Sequence, residues 1–126
     1  MSREIHIINL SRPMAQTIQA HYCDSFFCRL RGLTFRRNLP ARTGLLLVEN
    51  RDNRLDASIH MLFMWMDLAV IWINSSLRVV DVRLARRWKL AYLPKAPARY
   101  ILELPVDCQP DFVVGDLLKF ENQNIV

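Results

Sequence analysis

An almost unbroken apolar stretch runs through the middle of the chain at residues 59–74, with the sequence IHMLFMWMDLAVIWIN. Up to the closing Asn74, only His60 and Asp67 interrupt it. The stretch is shorter than the roughly 20 residues that a helix needs to cross a bilayer, so we expect no membrane insertion. Apolar side chains would cover every side of a helix here, which excludes an amphipathic surface helix. We therefore expect a buried core element, made of two strands that meet near Asp67.

Length and composition favour a single domain over residues 1–126, able to bury about two-thirds of its unfolded surface. Hydrophobic residues make up 52% of the chain and charged residues 23%, which is typical of a globular protein. No repeat, low-complexity run or Ser/Gly-rich linker divides the sequence. The first six residues lack the apolar core of a secretory signal, so we expect a cytoplasmic protein.

The alternation of apolar and polar residues predicts eight short strands and one helix. The helix is expected to begin at Asp24 as its N-cap and to end at Gly32 in a left-handed conformation. The fold class that follows is mainly β with one short helix: a small, mostly antiparallel β-barrel or sandwich with the helix over an open end. The predicted strands are 4–10, 17–22, 45–49, 57–64, 68–74, 78–84, 100–104 and 117–121.

Three cysteines are present: Cys23, Cys28 and Cys108. An odd count in an intracellular chain argues against a disulfide framework. Cys23 and Cys28 could be arranged with His21 and His60 into a metal site, but no pair has the spacing typical of zinc sites. We therefore expect small, buried, unpaired cysteines, with no metal and no cofactor.

The net charge of +5 is concentrated in two windows that contain no acidic residue. If the fold joins the two windows, they would form a positive surface that attracts phosphates. The alternative is two solvated loops that carry ordinary solubility charge. The basic residues are Arg29, Arg31, Arg36, Arg37 and Arg42 in the first window, and Arg83, Arg86, Arg87, Lys89, Lys95 and Arg99 in the second.

Enzymatic activity has no positive support in the sequence, which contains no nucleophile elbow, Walker loop or His-Glu-x-x-His pattern. His60 is the most informative polar residue, because a buried histidine needs a hydrogen-bond partner and Glu103 is the natural candidate. Such a pair would be either a structural contact or a binding group at a barrel mouth. The neighbouring Met61, Met64 and Met66 would fill the core or line an apolar groove.

Six segments connect these observations with a known family: RGLTFR at 31–36, GLL at 44–46, IHMLFM at 59–64, RVV at 78–80, ARYILELP at 98–105 and GD at 115–116. In this order, across about 17–121, they resemble the domain of unknown function 192 family, also labelled uncharacterised ancient conserved region proteins. The resemblance implies a compact, mostly β, barrel-like domain. It implies no activity.

Comparison with the family pattern also identifies residues able to act and places where the chain departs from it. The residues that match best and could act are Arg36, His60, Glu103 and Asp116, of which Asp116 is expected to brace its turn. Ala69 stands where the family tends to have a carboxylate, and Asp67, two residues earlier on the same strand face, is the candidate to replace it. Asp107 occupies a place where the family tends to have glycine.

Three functional hypotheses follow. The leading one is a non-catalytic binding or protein-interaction module, with ligand-binding candidates Arg36, His60, Met64, Asp67 and Glu103. The second is a nucleic-acid-binding protein that uses Arg37, Arg86, Arg87, Lys89 and Trp88, with Arg36 and Trp65 in support. The third is a hydrolase-like enzyme built from His60, Asp67 and Glu103, which would need all three groups in one cleft. A homodimer or another protein partner could engage exposed residues of the central strands.

Overall fold

The computed structural model describes residues 3–14, 16–33 and 36–122 of the chain. Within these ranges there are seven strands, one α-helix and one 3₁₀ helix. None of the helices in this part of the chain is both long and apolar enough to span a membrane. In chain order the elements are β1 (Glu4–Asn9), β2 (Ile18–Cys23), α1 (Phe26–Arg31), β3 (Thr43–Asn53), β4 (Leu68–Ile73), β5 (Val79–Ala85), β6 (Ala98–Leu104), the 3₁₀ helix (Val106–Asp111) and β7 (Leu118–Asn122).

All seven strands join one mixed sheet in the order β5-β4-β6-β3-β2-β1-β7. The β2–β3 pair is parallel, and the other pairs of described strands are antiparallel. A parallel pair needs a crossover connection, and α1 lies in that crossover. An isolated bridge between Arg78 and Leu117 joins the segments that precede the edge strands β5 and β7, but the two strands are not paired with each other among the described residues, so the sheet curls without closing. The predicted mainly β fold with a short helix is confirmed, with seven described strands instead of eight, and the predicted barrel or sandwich is only approximate because the single sheet does not close.

Apolar clusters cover both faces of the sheet. One face, which we call the inner face, carries Ile7, Leu46 and Leu102 against the 3₁₀ helix residue Cys108. The other, which we call the cleft face, carries residues such as Leu45, Leu47, Val70, Trp72 and Ile101. Because β4 has cover on both faces and a neighbour on both sides, every one of its residues is buried. This explains the continuous apolar run that the sequence shows in its second half.

The first half of the apolar stretch does not form the predicted strand at 57–64. Ala57, Ile59 and Met61 are buried in alternation, as a strand would require, but the backbone pairs with the 88–92 segment instead of the sheet. Ile59 and Tyr92 exchange two backbone hydrogen bonds, and the indole nitrogen of Trp72 donates to the carbonyl of Ala57 at 2.7 Å. The segment is apolar because it covers the cleft face, and a cover must be as apolar as the strands beneath it.

The predicted helix is present, with one difference at its start. Ser25 is the N-cap, and its hydroxyl accepts a hydrogen bond from the backbone N–H of Cys28, so the prediction of Asp24 was one residue early. Gly32 ends the helix with a φ of 52°, as the sequence predicted. Thr34 and Phe35 of the RGLTFR motif lie outside the described residues.

Cys23 and Cys28 form a disulfide, which corrects the expectation of unpaired cysteines. The bond connects the last residue of β2 to α1, and the two Cα atoms are 5.6 Å apart. Cys108 is buried and free, as expected. The parity argument failed because it treats the cysteines as one set, whereas two residues on either side of a strand–helix turn can pair locally.

Candidate functional site

A row of side chains crosses the cleft face at one level of the sheet. In register order it contains Glu4 on β1, His21 on β2, Leu45 on β3, Glu103 on β6 and Val70 on β4. Residues that face each other on neighbouring strands point to the same side of a sheet. The row therefore brings two carboxylates and an imidazole onto one surface, with Glu103 between two apolar neighbours.

Glu103 is the unusual member of this row. It is only 6% exposed, and no hydrogen bond or ion pair engages its carboxylate among residues 3–14, 16–33 and 36–122. Burial in apolar surroundings penalises the charged form and raises the pKa of Glu103 to about 7. Unpaired buried carboxylates are rare in folded proteins because the loss of hydration is costly.

Two glycines hold the backbone close to Glu103. A Cβ on Gly44 would overlap the backbone carbonyl oxygen of Glu103, so only glycine lets β3 approach β6 here. A Cβ on Gly32, at the end of α1, would lie 3.9 Å from the carboxylate oxygen Oε1. The carboxylate is therefore enclosed between the sheet and the end of the helix.

A cavity of about 70 Å³ opens beside this carboxylate, and we call it the inner pocket. Its lining includes Glu103, His60, Met61, Met64 and Arg31. The cavity has room for a few water molecules or for one small functional group of a ligand. The inner pocket combines one acid, basic side chains and two flexible thioether side chains.

A larger depression of about 770 Å³ adjoins the inner pocket, and we call it the outer cleft. Arg31, Gly32 and Leu33 line both spaces, so the end of α1 separates one from the other. On its far side lie His21 and Glu4, whose Nδ1 and Oε1 atoms are 3.4 Å apart. The two spaces together are large enough for a small organic molecule.

The arginines around the two spaces differ in how they are held. Arg29 donates to the carbonyls of Asp24 and Val48, and its Nε lies 3.5 Å from the Glu49 carboxylate. By contrast, the structure shows no such partner, within the part of the chain it describes, for the side chains of Arg31 and Arg36. Arg29 has a structural role, whereas Arg31 and Arg36 are available at the cleft.

The structure brings together four of the five residues that the sequence proposed for ligand binding. His60, Met64 and Glu103 line the inner pocket, and Arg36 lines the outer cleft. Asp67 lines neither space; it precedes β4 and accepts a hydrogen bond from the backbone N–H of Arg87 at 2.8 Å.

His60 differs from its prediction, because it is exposed and forms no hydrogen bond with Glu103. Ala57, Ile59 and Met61 are buried, whereas the intervening His60 is exposed while it lines the inner pocket. The expectation of a buried, partnered histidine is therefore wrong. His60 and Glu103 meet only as two walls of the inner pocket.

The residues proposed for nucleic-acid binding lie on a separate surface, formed by the outward side of 57–66 and by 86–90. There the rings of Trp65 and Trp88 are in edge-to-face contact at 5.6 Å, and those of Phe63 and Trp88 at 5.5 Å. The Arg37 guanidinium lies 5.5 Å from the centre of the Trp65 ring. Arg86, Arg87 and Lys89 flank Trp88 in the chain and are exposed. The two basic windows of the sequence therefore meet at these rings.

Sequence reasoning missed Arg31, His21 and Glu4 as residues of the cleft. Arg31 belongs to the RGLTFR motif and could have been found there, whereas Glu4 and His21 carry no local signal.

Asp116 braces its turn as expected: it is buried and accepts hydrogen bonds from Asn9, Arg12 and the Val113 backbone. Chiefly because of the Arg12 hydrogen bond, the pKa of Asp116 is lowered to about 2.

A profile of the family DUF192, described as Uncharacterized ACR, matches residues 7–119. The chain belongs to this family. A UPF0127 protein of Thermococcus gammatolerans is 41% identical over 117 residues, which cover 91% of this chain and 74% of that protein. A UPF0127 protein of Pyrococcus horikoshii is 36% identical over 118 residues, which cover 90% of this chain and 97% of the relative.

Two solved structures share the fold of this DUF192 member. A Sinorhizobium meliloti protein named "putative transcription regulator" has a TM-score of 0.81 at 18% identity, with 95% of this chain and 94% of that one covered. A Novosphingobium aromaticivorans protein of unknown function has a TM-score of 0.78 at 17% identity, with 92% and 83% covered. At this level of identity the likeness concerns the fold alone.

Proposed function

We propose that this protein is a non-catalytic binding module that holds a small organic ligand across the inner pocket and the outer cleft. The observation that carries the proposal is Glu103, a carboxylate that is buried, lacks a partner among the described residues and lines the inner pocket. A ligand group that donates hydrogen bonds, such as an ammonium or an amide, would satisfy this carboxylate. The ligand would thereby offset the desolvation of the Glu103 carboxylate, for which the described residues provide no hydrogen bond.

The second feature in support is a pair of guanidinium groups, those of Arg31 and Arg36, for which the described part of the chain shows no partner. Guanidinium groups bind carboxylates and phosphates through two parallel hydrogen bonds. Both arginines line the outer cleft, and Arg31 also borders the inner pocket beside Glu103. A ligand with a donor group at one end and an anionic group at the other would match both spaces.

Met64 and Met61 supply the apolar part of such a site. Methionine side chains adapt to ligands of varied shape because they are unbranched and polarisable. Both are buried on the side of the inner pocket. His60 lies at the same pocket and is exposed, so it is placed to contact a ligand that enters.

The hydrolase-like alternative is less favoured, because it requires Asp67 in the same cleft as His60 and Glu103. Asp67 instead accepts a hydrogen bond from Arg87 and lines neither space. General acid–base cooperation needs groups within hydrogen-bonding reach of one another or of a shared water.

The test is native mass spectrometry of the purified protein, followed by thermal unfolding with amino acids and aminoalkyl phosphates as probes. We expect either a retained small molecule or a stabilising probe with wild type, and its loss with Glu103→Gln and with Arg31→Gln. Arg51→Gln is the matched control, since Arg51 is exposed and lies outside both spaces. The proposal is wrong if wild type retains no mass and no probe raises its melting temperature, or if Arg51→Gln has the same effect.

A further inference from the structure

Three aromatic rings and four cations form an exposed surface on the outward side of 57–66, away from the inner pocket. We call it the aromatic patch. Phe63, Trp65 and Trp88 are 49%, 45% and 44% exposed. On the same segment Met61 and Met64 are buried toward the inner pocket. The cations of the patch are Arg37, Arg86, Arg87 and Lys89.

The backbone of the patch is fixed by hydrogen bonds. The carbonyl of Met61 accepts from Trp88 at 2.7 Å and from Met64 at 3.2 Å, and the Met61 N–H donates to Lys89 at 3.0 Å. Phe63 and Trp88 have φ angles of 62° and 67°, in the left-handed region that bulky residues rarely adopt. Strained conformations of this kind persist only where surrounding contacts impose them, and they cluster at ligand-binding sites. The rings are thus held outward by the fold.

Charge around the patch is strongly one-sided. The Arg37 guanidinium lies over the Trp65 ring, and Arg86 and Lys89 lie on either side of the Arg87–Trp88 pair in the chain. Asp67 is the acid that the structure places against these cations, with its Oδ1 3.7 Å from the Nε of Arg87. Three exposed rings beside four cations suit a partner that offers both flat apolar surfaces and regularly spaced negative charge.

We propose that the aromatic patch binds single-stranded nucleic acid, with bases stacked on Trp88 and its neighbouring rings and phosphates held by Arg86, Arg87 and Lys89. Stacking on aromatic side chains requires unpaired bases, which a duplex does not present. Protein interfaces also favour aromatic and arginine side chains, so the feature that favours nucleic acid is the charge: four cations around three exposed rings match the regularly spaced phosphates of a single strand. Arg37, over Trp65, would add a cation–π contact and a further phosphate contact.

The experiment measures fluorescence anisotropy of fluorescein-labelled oligo-dT of twelve nucleotides against the full chain at 50 and 200 mM salt. Wild type should bind at 50 mM and lose at least tenfold in affinity at 200 mM, because counterions are released when cations contact phosphates. Trp88→Ala should weaken binding at least fivefold, as expected for the loss of one stacked base. Arg86→Gln combined with Lys89→Gln should weaken it about tenfold and reduce the salt dependence.

The matched control removes the same charge elsewhere, through Arg51→Gln combined with Lys119→Gln. Both residues are exposed and lie outside the patch, so affinity should change less than threefold. If Trp88→Ala does not fold, Phe63→Gly replaces it, because glycine accepts the positive φ while removing a ring. Its binding loss should be at least threefold, with a melting temperature close to that of wild type.

Several results would overturn the proposal. Absence of binding at 50 mM salt is one. Equal affinity for a duplex of the same length, with no effect of Trp88→Ala or Phe63→Gly, would indicate general electrostatic attraction instead. An equal loss in the control pair and in the patch pair would lead to the same conclusion.

Discussion

The inner pocket and the aromatic patch lie on opposite sides of one short segment, 57–66, and each contains a different kind of unfavourable energy. In the inner pocket the cost is electrostatic, since Glu103 is buried without a partner among the described residues. In the aromatic patch the cost is conformational, since Phe63 and Trp88 adopt left-handed backbone angles that cost roughly 1–2 kcal/mol per residue. The segment 57–66 therefore borders two surfaces whose chemistry is unrelated.

The largest effect is expected from Glu103→Gln, which separates the electrostatic cost from the rest of the fold. The folded-state pKa of Glu103 is about 7, against 4.5 for an ordinary glutamate, so between these pH values the folded state binds more protons than the unfolded state. Wild-type stability should therefore fall as pH rises from 4.5 to 7, by up to about 3 kcal/mol. Glu103→Gln should lack this fall and be the more stable protein at pH 8. Urea unfolding at pH 4, 5.5 and 8 measures the difference.

Glu121→Gln provides the control for this pH dependence, since Glu121 is exposed on the edge strand β7 and lines neither the inner pocket nor the outer cleft. Its stability should follow the wild-type pH profile closely. Parallel profiles for wild type and Glu103→Gln would show that the carboxylate is not penalised by burial, and the comparison between the two regions would fail.

The next largest effect is expected from Gly44→Ala, which tests how rigid the floor of the cleft is. The added methyl group would overlap the carbonyl of Glu103 and approach the Leu104 side chain at 2.6 Å, so β3 and β6 must separate. We expect a loss of about 2–3 kcal/mol in the free energy of unfolding, measured with urea.

Gly115→Ala is the comparison for Gly44→Ala. A Cβ on Gly115 meets nothing within 4 Å, although its φ is 98°. Only backbone strain is then added, with an expected cost of about 1 kcal/mol. A smaller effect at Gly44 than at Gly115 would mean that the floor of the cleft yields easily.

Reduction of the Cys23–Cys28 disulfide should destabilise the outer cleft and leave the aromatic patch unchanged. Cys28 lines the outer cleft, and neither cysteine touches the patch. The bond closes a loop with a sequence separation of 5, so its removal should cost about 2 kcal/mol in the chain-entropy treatment. In a Cys108→Ala variant, Cys23 and Cys28 are the only cysteines, so a reductant acts on their disulfide alone. Melting temperature with and without reductant is the measurement. Fluorescence of the exposed Trp65 and Trp88 should stay unchanged, and a shift in it would contradict the separation of the two regions.

The smallest effect is expected from Phe63→Gly in the aromatic patch. Glycine relieves the left-handed strain at φ 62° but adds freedom to the unfolded chain, and the two contributions are opposite in sign. We expect a net change in the free energy of unfolding within about 1 kcal/mol. A large destabilisation would show that the Phe63 ring supports the fold, in which case the patch would be a structural feature.

The sequence predicted the strands well where burial on one or both faces of the sheet produces the pattern of apolar residues. The alternation in β1 and β6 and the continuous apolar run of β4 were interpreted correctly. The strand β5 was also predicted, but its burial differs from the alternation, because Val79 and Asp81 are buried and Leu84 is exposed. The error at 57–64 arose because alternation reports which side chains are buried and not which backbone they pair with. The 57–66 segment is buried on alternate residues yet lies above the sheet.

The candidate site was predicted in part, for a similar reason. His60, Met64, Glu103 and Arg36 were identified from the apolar stretch and from the family motifs, and they line the two spaces. The absence of a hydrogen bond between His60 and Glu103 was not obtainable from the sequence, since it depends on how the non-strand segment that carries His60 crosses β6. Asp67 was misplaced because it ends the covering segment instead of continuing β4.

The sequence by itself determined that this chain is mainly β with one short helix, since burial periodicity and capping residues are local properties. It also determined the family, through the order of six short motifs. The tertiary structure decided that Glu103 lines a cavity with no partner among the described residues and that two distant basic windows meet at exposed rings. Those outcomes depend on which strands become neighbours and how loops cross them. Such contacts join residues far apart in the chain, and no local pattern encodes them.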